Sequence, residues 1–167
     1  MSTVRILPYD PLHQQGVIDT ILPIQQGEFK VPITLADQPD LLDIPGFYRS
    51  GNGNFWVATS DKTCSTGEVI GTIALRDFGE GRGALRKMFV QGPWRGPEHR
   101  IAAQLLDILL RHARERGLRE VWLGTTAVMP AAHRFYEKNG FKLVEAAQLP
   151  TDFPRMAVDS RFYVKRL

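Results

Sequence analysis

Two stretches of the 167-residue chain gather residue types that could do chemistry. The first reads Leu85-Arg86-Lys87-Met88-Phe89-Val90-Gln91-Gly92-Pro93-Trp94-Arg95-Gly96 and runs straight into a helical pattern. A strand, a Gly- and Pro-bearing turn, and a helix start flanked by Arg95 and Arg100 suit an anion. The first N–H groups of a helix lack intrahelical partners and carry partial positive charge, so they receive phosphate readily. The two arginines could add charge-assisted bonds. An ordinary strand-to-helix connection would read the same way. The second stretch is Pro130-Ala131-Ala132-His133-Arg134-Phe135-Tyr136-Glu137-Lys138-Asn139-Gly140-Phe141. Ala131 and Ala132 let a short helix approach a neighbour closely, and Tyr136, four residues after Ala132, shares its face. Taken alone, an aromatic on a short helix is more often core than catalyst.

These stretches must be positioned by the elements around them. Thr3 to Leu7 alternates like a first strand, and Asp10-Pro11 is a plausible N-cap and first helical position. Val17, Ile18, Ile21, Leu22 and Ile24 then suit a helix that Pro23 bends or interrupts. A second short helix is expected over Gln38 to Ile44, ended by Pro45-Gly46. Strand patterns follow at Phe55–Thr59, Glu68–Leu75 and Ala84–Val90, separated by turns at Asp61–Gly67 and Gly79–Gly83. The Gly-Glu-Gly-Arg-Gly run lacks the lysine and strand-to-helix setting of a phosphate loop, so it reads as a hairpin connection. The clearest helix spans Glu98 to Arg116, with Ile101, Leu105, Ile108, Leu109 and Ala113 at helical spacing and Gly117 placed to end it. A strand (Glu120–Thr125), a short helix (Pro130 to Asn139-Gly140) and strands at Phe141–Val144 and Arg161–Arg166 complete the chain. Helices, a meander of strands, then β-α-β-α-β predict a mixed sheet with helices on both faces.

Length and composition fit one domain over residues 1–167 with a sizeable core. The chain is 43% apolar and 23% charged, within the ordinary globular range. Cys64 is the single cysteine, so no intrachain disulfide can form, which suits a reducing cytoplasm. It sits in a polar stretch with nothing nearby to lower its pKa. The N-terminal residues do not read as a signal peptide, and no run approaches the ~20 apolar residues that cross a bilayer. A net charge of +3, with arginines spread along the chain, argues against a nucleic-acid surface. The densest basic group, Arg111 to Arg119, reads as a solvated helix face.

In order and spacing the two stretches together resemble the GNAT acetyltransferase superfamily, over roughly Phe55 to Val144. The resemblance implies an α/β (mixed α+β) acyl-CoA N-acyltransferase fold: a mixed, mostly antiparallel sheet of six to seven strands with helices on both faces. It implies acetyl-CoA as acyl donor, no metal, and direct attack by a primary amine through a tetrahedral intermediate. The strand ending at Val90 is expected to splay from its neighbour near Thr125. Its backbone from Met88 through Phe89 to Val90 would then bind the pantetheine arm and polarise the thioester. Arg95 matches the arginine opening the pyrophosphate loop, Ala102 its last small residue, and Gly96, His99 and Arg100 lie between them. The loop is two residues longer than usual, Arg100 stands where the central glycine is counted, and Met129 stands where an asparagine is common. Tyr136 matches the tyrosine that protonates the departing thiolate.

The base is less legible. Glu28 comes first, since it ends the N-terminal helical region that borders the acceptor in this fold; Asp37, His133 and ordered water follow. The acceptor pocket is expected from Phe29, Phe47, Tyr48, Phe153 and Met156 beside Glu28, Asp37 and Asp40, which suits a small amine substrate. Nucleic acid and membrane are not expected as partners, and a homodimer is left open. The alternatives are a non-catalytic CoA-binding module, suggested by the altered loop, and a nucleic-acid-binding domain, suggested only by a pI near 9.2.

Overall fold

Period-2 runs of apolar residues build one seven-stranded sheet in the computed structural model, which describes residues 3–61 and 67–167. Its strands are β1 (Val4–Pro8), β2 (Asn54–Ser60), β3 (Glu68–Gly79), β4 (Arg82–Val90), β5 (Glu120–Thr125), β6 (Lys142–Val144) and β7 (Arg161–Arg166). They lie in the order β1-β2-β3-β4-β5-β7-β6. Every neighbouring pair is antiparallel except β4 and β5. The stretch around Cys64, expected as a polar turn, falls outside the described residues.

Alternation along β2 divides the core into two layers. Phe55 and Val57 pack with Val17, Ile18 and Ile21 of helix α1 (Gln14–Leu22) and with Ile44 and Tyr48 of α2 (Ile44–Tyr48). Trp56 and Ala58 point the other way, towards Leu105, Leu106 and Leu109 of α3 (Ile101–Glu115) and Tyr136 of α4 (Pro130–Lys138). Helices therefore cover both faces, as the order of elements predicts. The β3–β4 connection is a hairpin: Glu80 and Gly81 both take positive φ (58° and 74°), the turn that matches strand twist. Helix α3 ends in a Schellman motif, with Leu118 N–H donating to the Ala113 carbonyl and Gly117 N–H to that of Arg114.

Strand ends shift by one to four residues, as where β3 runs on to Gly79 and β4 starts at Arg82, and three helix boundaries differ for a local reason. The helix expected from Glu98 starts at Ile101, because Arg100 takes the left-handed conformation (φ 52°, ψ 36°), which an α-helix cannot contain. Pro45-Gly46 opens a helix instead of closing one. A 3-10 turn covers Pro39–Leu42, then Asp43 caps α2 by accepting the Gly46 N–H at 3.2 Å, with Pro45 in the first turn. After α1 the chain passes into a single π-helical stretch, Pro23–Glu28, in which Phe29 N–H reaches back to the Ile24 carbonyl at 3.0 Å.

The feature that makes a site lies in the middle of the sheet. Opposite β3, Thr72 pairs with Phe89 but Ala74 pairs with Arg86, so Lys87 and Met88 together oppose Ile73. Lys87 has φ 52°, and its carbonyl accepts the buried Thr72 hydroxyl at 2.6 Å. Such a bulge bends and twists the strand that carries it. The parallel ladder to β5 ends at Ala84–Trp122, and from Leu85 onward β4 leaves β5.

Candidate active site

The fork between β4 and β5 holds two adjoining pockets that share Met88, Phe89, Met129, Ala132 and Tyr136. The first, on the side where the resemblance expects the donor, is mostly apolar: Ile24, Phe29, Val90, Ala102, Ala131 and Phe135 line it, with Arg95 at its edge. Beyond the fork the β5-facing edge of β4 has no ladder partner among the described residues; the Val90 carbonyl accepts Arg95 Nε, and the N–H groups of this edge are left for an extended ligand. A 3-10 turn at Gly92–Trp94 leads from β4 towards α3, and Gly96 (φ 107°) and Arg100 supply the two left-handed residues of the loop. Among the described residues no side-chain cap bond closes the start of α3, which leaves its first N–H groups open to an anion. The Trp94 and His99 rings lie 4.9 Å apart, and Gln104 Nε2 donates to the His99 carbonyl at 2.9 Å, which shapes the loop from both sides.

Tyr136 stands between the two pockets. Helix α4 begins at Pro130 and turns Ala132 and Tyr136 inwards while Ala131 stays exposed; the ring packs against Phe135, Phe141 and Tyr163. The hydroxyl points at Met88 Sδ, 3.7 Å away on the bulge of β4. Burial pushes its pKa well above that of a free phenol, with the neighbouring Tyr163 adding to the rise. The group is thus protonated throughout the neutral range.

The second pocket, on the acceptor side, is more polar. Arg86, Lys87, Thr126 and Asp159 line it beside Gln25, Val31, Phe153, Pro154, Met156 and Val158. The Asp159 carboxylate accepts Met156 N–H at 2.9 Å and lies against β5: a methyl placed on Gly124 would come within 2.5 Å of Oδ2. Burial raises its pKa, opposed by that hydrogen bond and by the charges of Arg86, Arg155 and Lys87. Lys87 is buried too, and desolvation brings its pKa down to about 8 although Asp40 lies 3.6 Å from Nζ. Its ammonium donates to Gln38 Oε1, and Tyr48 donates to Asp40, so this ion pair belongs to a closed network behind the pocket.

Comparison with known proteins shows the family and agrees with the fold. The model of the acetyltransferase (GNAT) family matches residues 18–141, about three-quarters of the chain. The chain belongs to the GNAT family. It is 38% identical over 111 residues to N-acetylaspartate synthetase of Xenopus tropicalis, a match covering 65% of this chain and 38% of that protein. The chain thus spans well under two-thirds of the length of such curated relatives. A GNAT-family acetyltransferase from Staphylococcus aureus Mu50 is 34% identical with a TM-score of 0.92, covering 99% of both chains. An acetyltransferase from Streptococcus agalactiae 2603 is 31% identical with a TM-score of 0.90, covering 98% of both.

Within this GNAT architecture the residues singled out in the sequence fall into three groups. Met88, Phe89, Val90, Arg95, Ala102 and Tyr136 converge on the donor pocket, while Gly96, His99 and Arg100 form the loop leading to it. Arg100, at the place where the resemblance counts a glycine, takes the left-handed backbone that glycine favours. Glu28 is brought to the site, but in a posture unlike that of a base. Its carboxylate receives both terminal nitrogens of Arg95, one at 2.8 Å, while Arg95 Nε donates to the Val90 carbonyl at 2.7 Å. The bond to Arg95 holds the Glu28 pKa below the ordinary carboxylate value. Asp37 is an exposed acid folded back on Thr34, and His133 is a buried tie to the Thr126 carbonyl at 2.8 Å. Phe153 and Met156 line the acceptor pocket as expected, whereas Phe29 lines the donor pocket and Tyr48 is in the core. Sequence reasoning missed Arg86, Thr126 and Asp159. Asp159 gave no signal, being one acid in an irregular loop; Arg86 was hidden in a strand that alternation alone could not face. No three His, Cys, Asp or Glu residues cluster to hold a metal among the described residues. No helix among them is long and apolar enough to cross a membrane.

Proposed function

We propose that this N-acetyltransferase takes its acetyl group from acetyl-CoA and gives it to the amine of a small acceptor, with Tyr136 as the acid and Asp159 as the base. One observation carries the reading: the Tyr136 hydroxyl sits where the donor and acceptor pockets meet, over the bulge at which β4 leaves β5. The donor side fits a long thioester, having an apolar groove, a free strand edge and an uncapped helix start for phosphate. Acetyl-CoA, when bound, supplies the acetyl group already activated as a thioester. The name of the Xenopus relative, N-acetylaspartate synthetase, supports a small acceptor.

The steps then divide among the side chains and backbone that line the two pockets. Asp159 takes a proton from the acceptor's ammonium, and the freed amine forms a C–N bond to the acetyl carbon. Backbone N–H groups on the free edge of β4, from Met88 to Val90, stabilise the charge gathering on the carbonyl oxygen. Tyr136 protonates the sulfur as the C–S bond breaks. The second proton of the nitrogen restores the phenol through solvent, and Asp159 releases its own to water. The sum is an acetamide, a thiol and one proton. Glu28 serves in this scheme as the residue that positions Arg95.

The test pairs binding with turnover. Acetyl-CoA should raise the melting temperature of wild type and of Tyr136→Phe alike. Amine-dependent thiol release by the variant should fall roughly ten- to a thousand-fold, the range for losing a positioned acid. No thermal shift in a folded wild-type protein would overturn the donor assignment. Equal turnover by the variant, with chemistry rate-limiting, would remove Tyr136 from the mechanism.

A further inference from the structure

Among the described residues two buried side-chain polar atoms lack a hydrogen-bond partner, Arg86 Nε and Thr126 Oγ1. Both residues line the acceptor pocket, Arg86 from β4 just before the bulge and Thr126 from the chain just beyond β5. Buried polar groups are nearly always satisfied, and one left open inside a cavity points to a ligand that satisfies it. Arg86 is the sharper case, because it also forms no ion pair among the described residues. Its guanidinium lies 5.9 Å from the centre of the Tyr48 ring, held by a neutral wall.

The other charges around it are already engaged. Lys87, next in the chain, is turned to Asp40 and Gln38. Arg155, across the outer cleft that Arg86 also lines, sits 4.7 Å over Phe162 and donates to the Asp159 carbonyl at 3.4 Å. Asp159 is the acid on the same pocket, and it takes the Met156 N–H and not the guanidinium. One pocket therefore presents an unpaired guanidinium and a separate carboxylate. That is the complement of a zwitterion.

Resting on the acetyl-transfer reading above, we propose that the acceptor is an amino acid-like zwitterion whose anionic group is received by Arg86, with its ammonium directed to Asp159. The fork of a guanidinium matches a carboxylate or phosphonate with two parallel bonds, and its pre-set geometry loses little freedom on binding. Recognition by a half-buried cation whose buried Nε is otherwise unpaired discriminates sharply, because a neutral analogue leaves that group unsatisfied. Thr126 supplies a hydroxyl to the same polar ligand.

The experiment uses matched acceptors and two readouts. The twenty L-amino acids are compared with their amides, and β-alanine with 2-aminoethylphosphonate and n-propylamine. Acetylated products are measured by mass spectrometry, and binding is measured by calorimetry with CoA present. At least one acid should exceed its neutral counterpart by about ten- to a hundred-fold in kcat/KM, the scale of a charge-assisted bond. Arg86→Gln should bring that ratio towards one, chiefly through KM, and Arg86→Lys should restore part of it; melting curves check that both variants fold. Preference for β-alanine or for the phosphonate identifies which anion Arg86 takes, and either supports the proposal. Neutral amides acetylated as well as the acids, or an acid-to-amide ratio that survives Arg86→Gln, would overturn it. If no amine is acetylated, the acetyl-transfer reading fails. Calorimetry then still decides for Arg86: Arg86-dependent binding of the acids upholds the anion site, and its absence sinks it.

Discussion

At the scale of single residues, the two groups proposed to move protons differ in kind. Tyr136 is held protonated by burial, whereas Asp159 is an acid whose burial makes it a stronger base than a surface carboxylate. The sign of the consequence for stability is fixed by that rise. From the unfolded value near 3.8 up to the higher folded value, the folded protein binds more protons than the unfolded one, so stability falls as pH rises through this window. At neutral pH the ionised Asp159 is thus a cost to the fold. Asp159→Asn should leave the melting temperature at pH 7 equal or higher while depressing acetylation. In wild type the acid limb of kcat/KM should lie above the ordinary aspartate range, and in the variant that limb should vanish. An unchanged pH–rate profile in Asp159→Asn would show that another group takes the proton. Glu28 is the counter-example: also an acid near the site, its pKa is lowered by Arg95, and a depressed carboxylate is a poor base.

Elements decide where those side chains arrive. The bulge at Lys87–Met88 turns β4 away from β5 and so makes the fork, while the π-helical stretch Pro23–Glu28 carries Glu28 to Arg95 and lays Phe29 along the donor pocket. The start of α3 depends on Arg100, a non-glycine residue with left-handed backbone, which costs about 1–2 kcal/mol relative to an ordinary conformation. Arg100→Gly removes that strain without changing the path of the loop. The variant should keep the thermal shift with acetyl-CoA and should melt no lower than wild type, whereas Arg100→Val should lose stability through its branched Cβ. If Arg100→Gly abolishes the shift, the arginine side chain and not the backbone turn holds the phosphates.

For the whole molecule, the sheet is a wall clad on both sides, and α3 is the largest piece of its cladding on the fork side. Leu105 is fully buried there, close enough to β3 that a methyl on Gly71 would meet its Cδ1 at 3.3 Å. Leu105→Ala should therefore cost about 2–5 kcal/mol. For a chain of this size that corresponds to a fall in melting temperature on the order of 10 °C. Calorimetric scans measure it, and a fall under ~2 °C would mean that α3 does not bear on global stability as its burial implies. Because the start of the same helix faces the loop from Arg95 to Arg100, bound acetyl-CoA should recover part of the loss.

How much of this was legible beforehand depended on the range of the interactions involved. Strand alternation, the helical spacing of Ile101 to Ala113, the glycine stop at Gly117 and the hairpin turn at 79–83 are local patterns, and local sterics fix them. The ordered pair of motifs around Val90 and Tyr136 carried the family, and most of the residues it singled out meet in one pocket. Even there a backbone choice escaped: nothing in the local pattern distinguished Arg100 as left-handed, and α3 begins at Ile101, where its apolar spacing starts, three residues after the expected Glu98. The acceptor side was decided only in three dimensions. Arg86 and Asp159 stand 73 positions apart in the chain. They share a pocket because a bulge turns β4 and because the loop before β7 folds back against Gly124. Glu28 and Arg95 show the same limit from the other side. Each was a reasonable functional residue by type, and only tertiary contact revealed that the charge of one is spent on holding the other. Residue type and spacing report short-range preferences of the backbone. Which charges are left unpaired, and so free to meet a substrate, is a property of the packed whole.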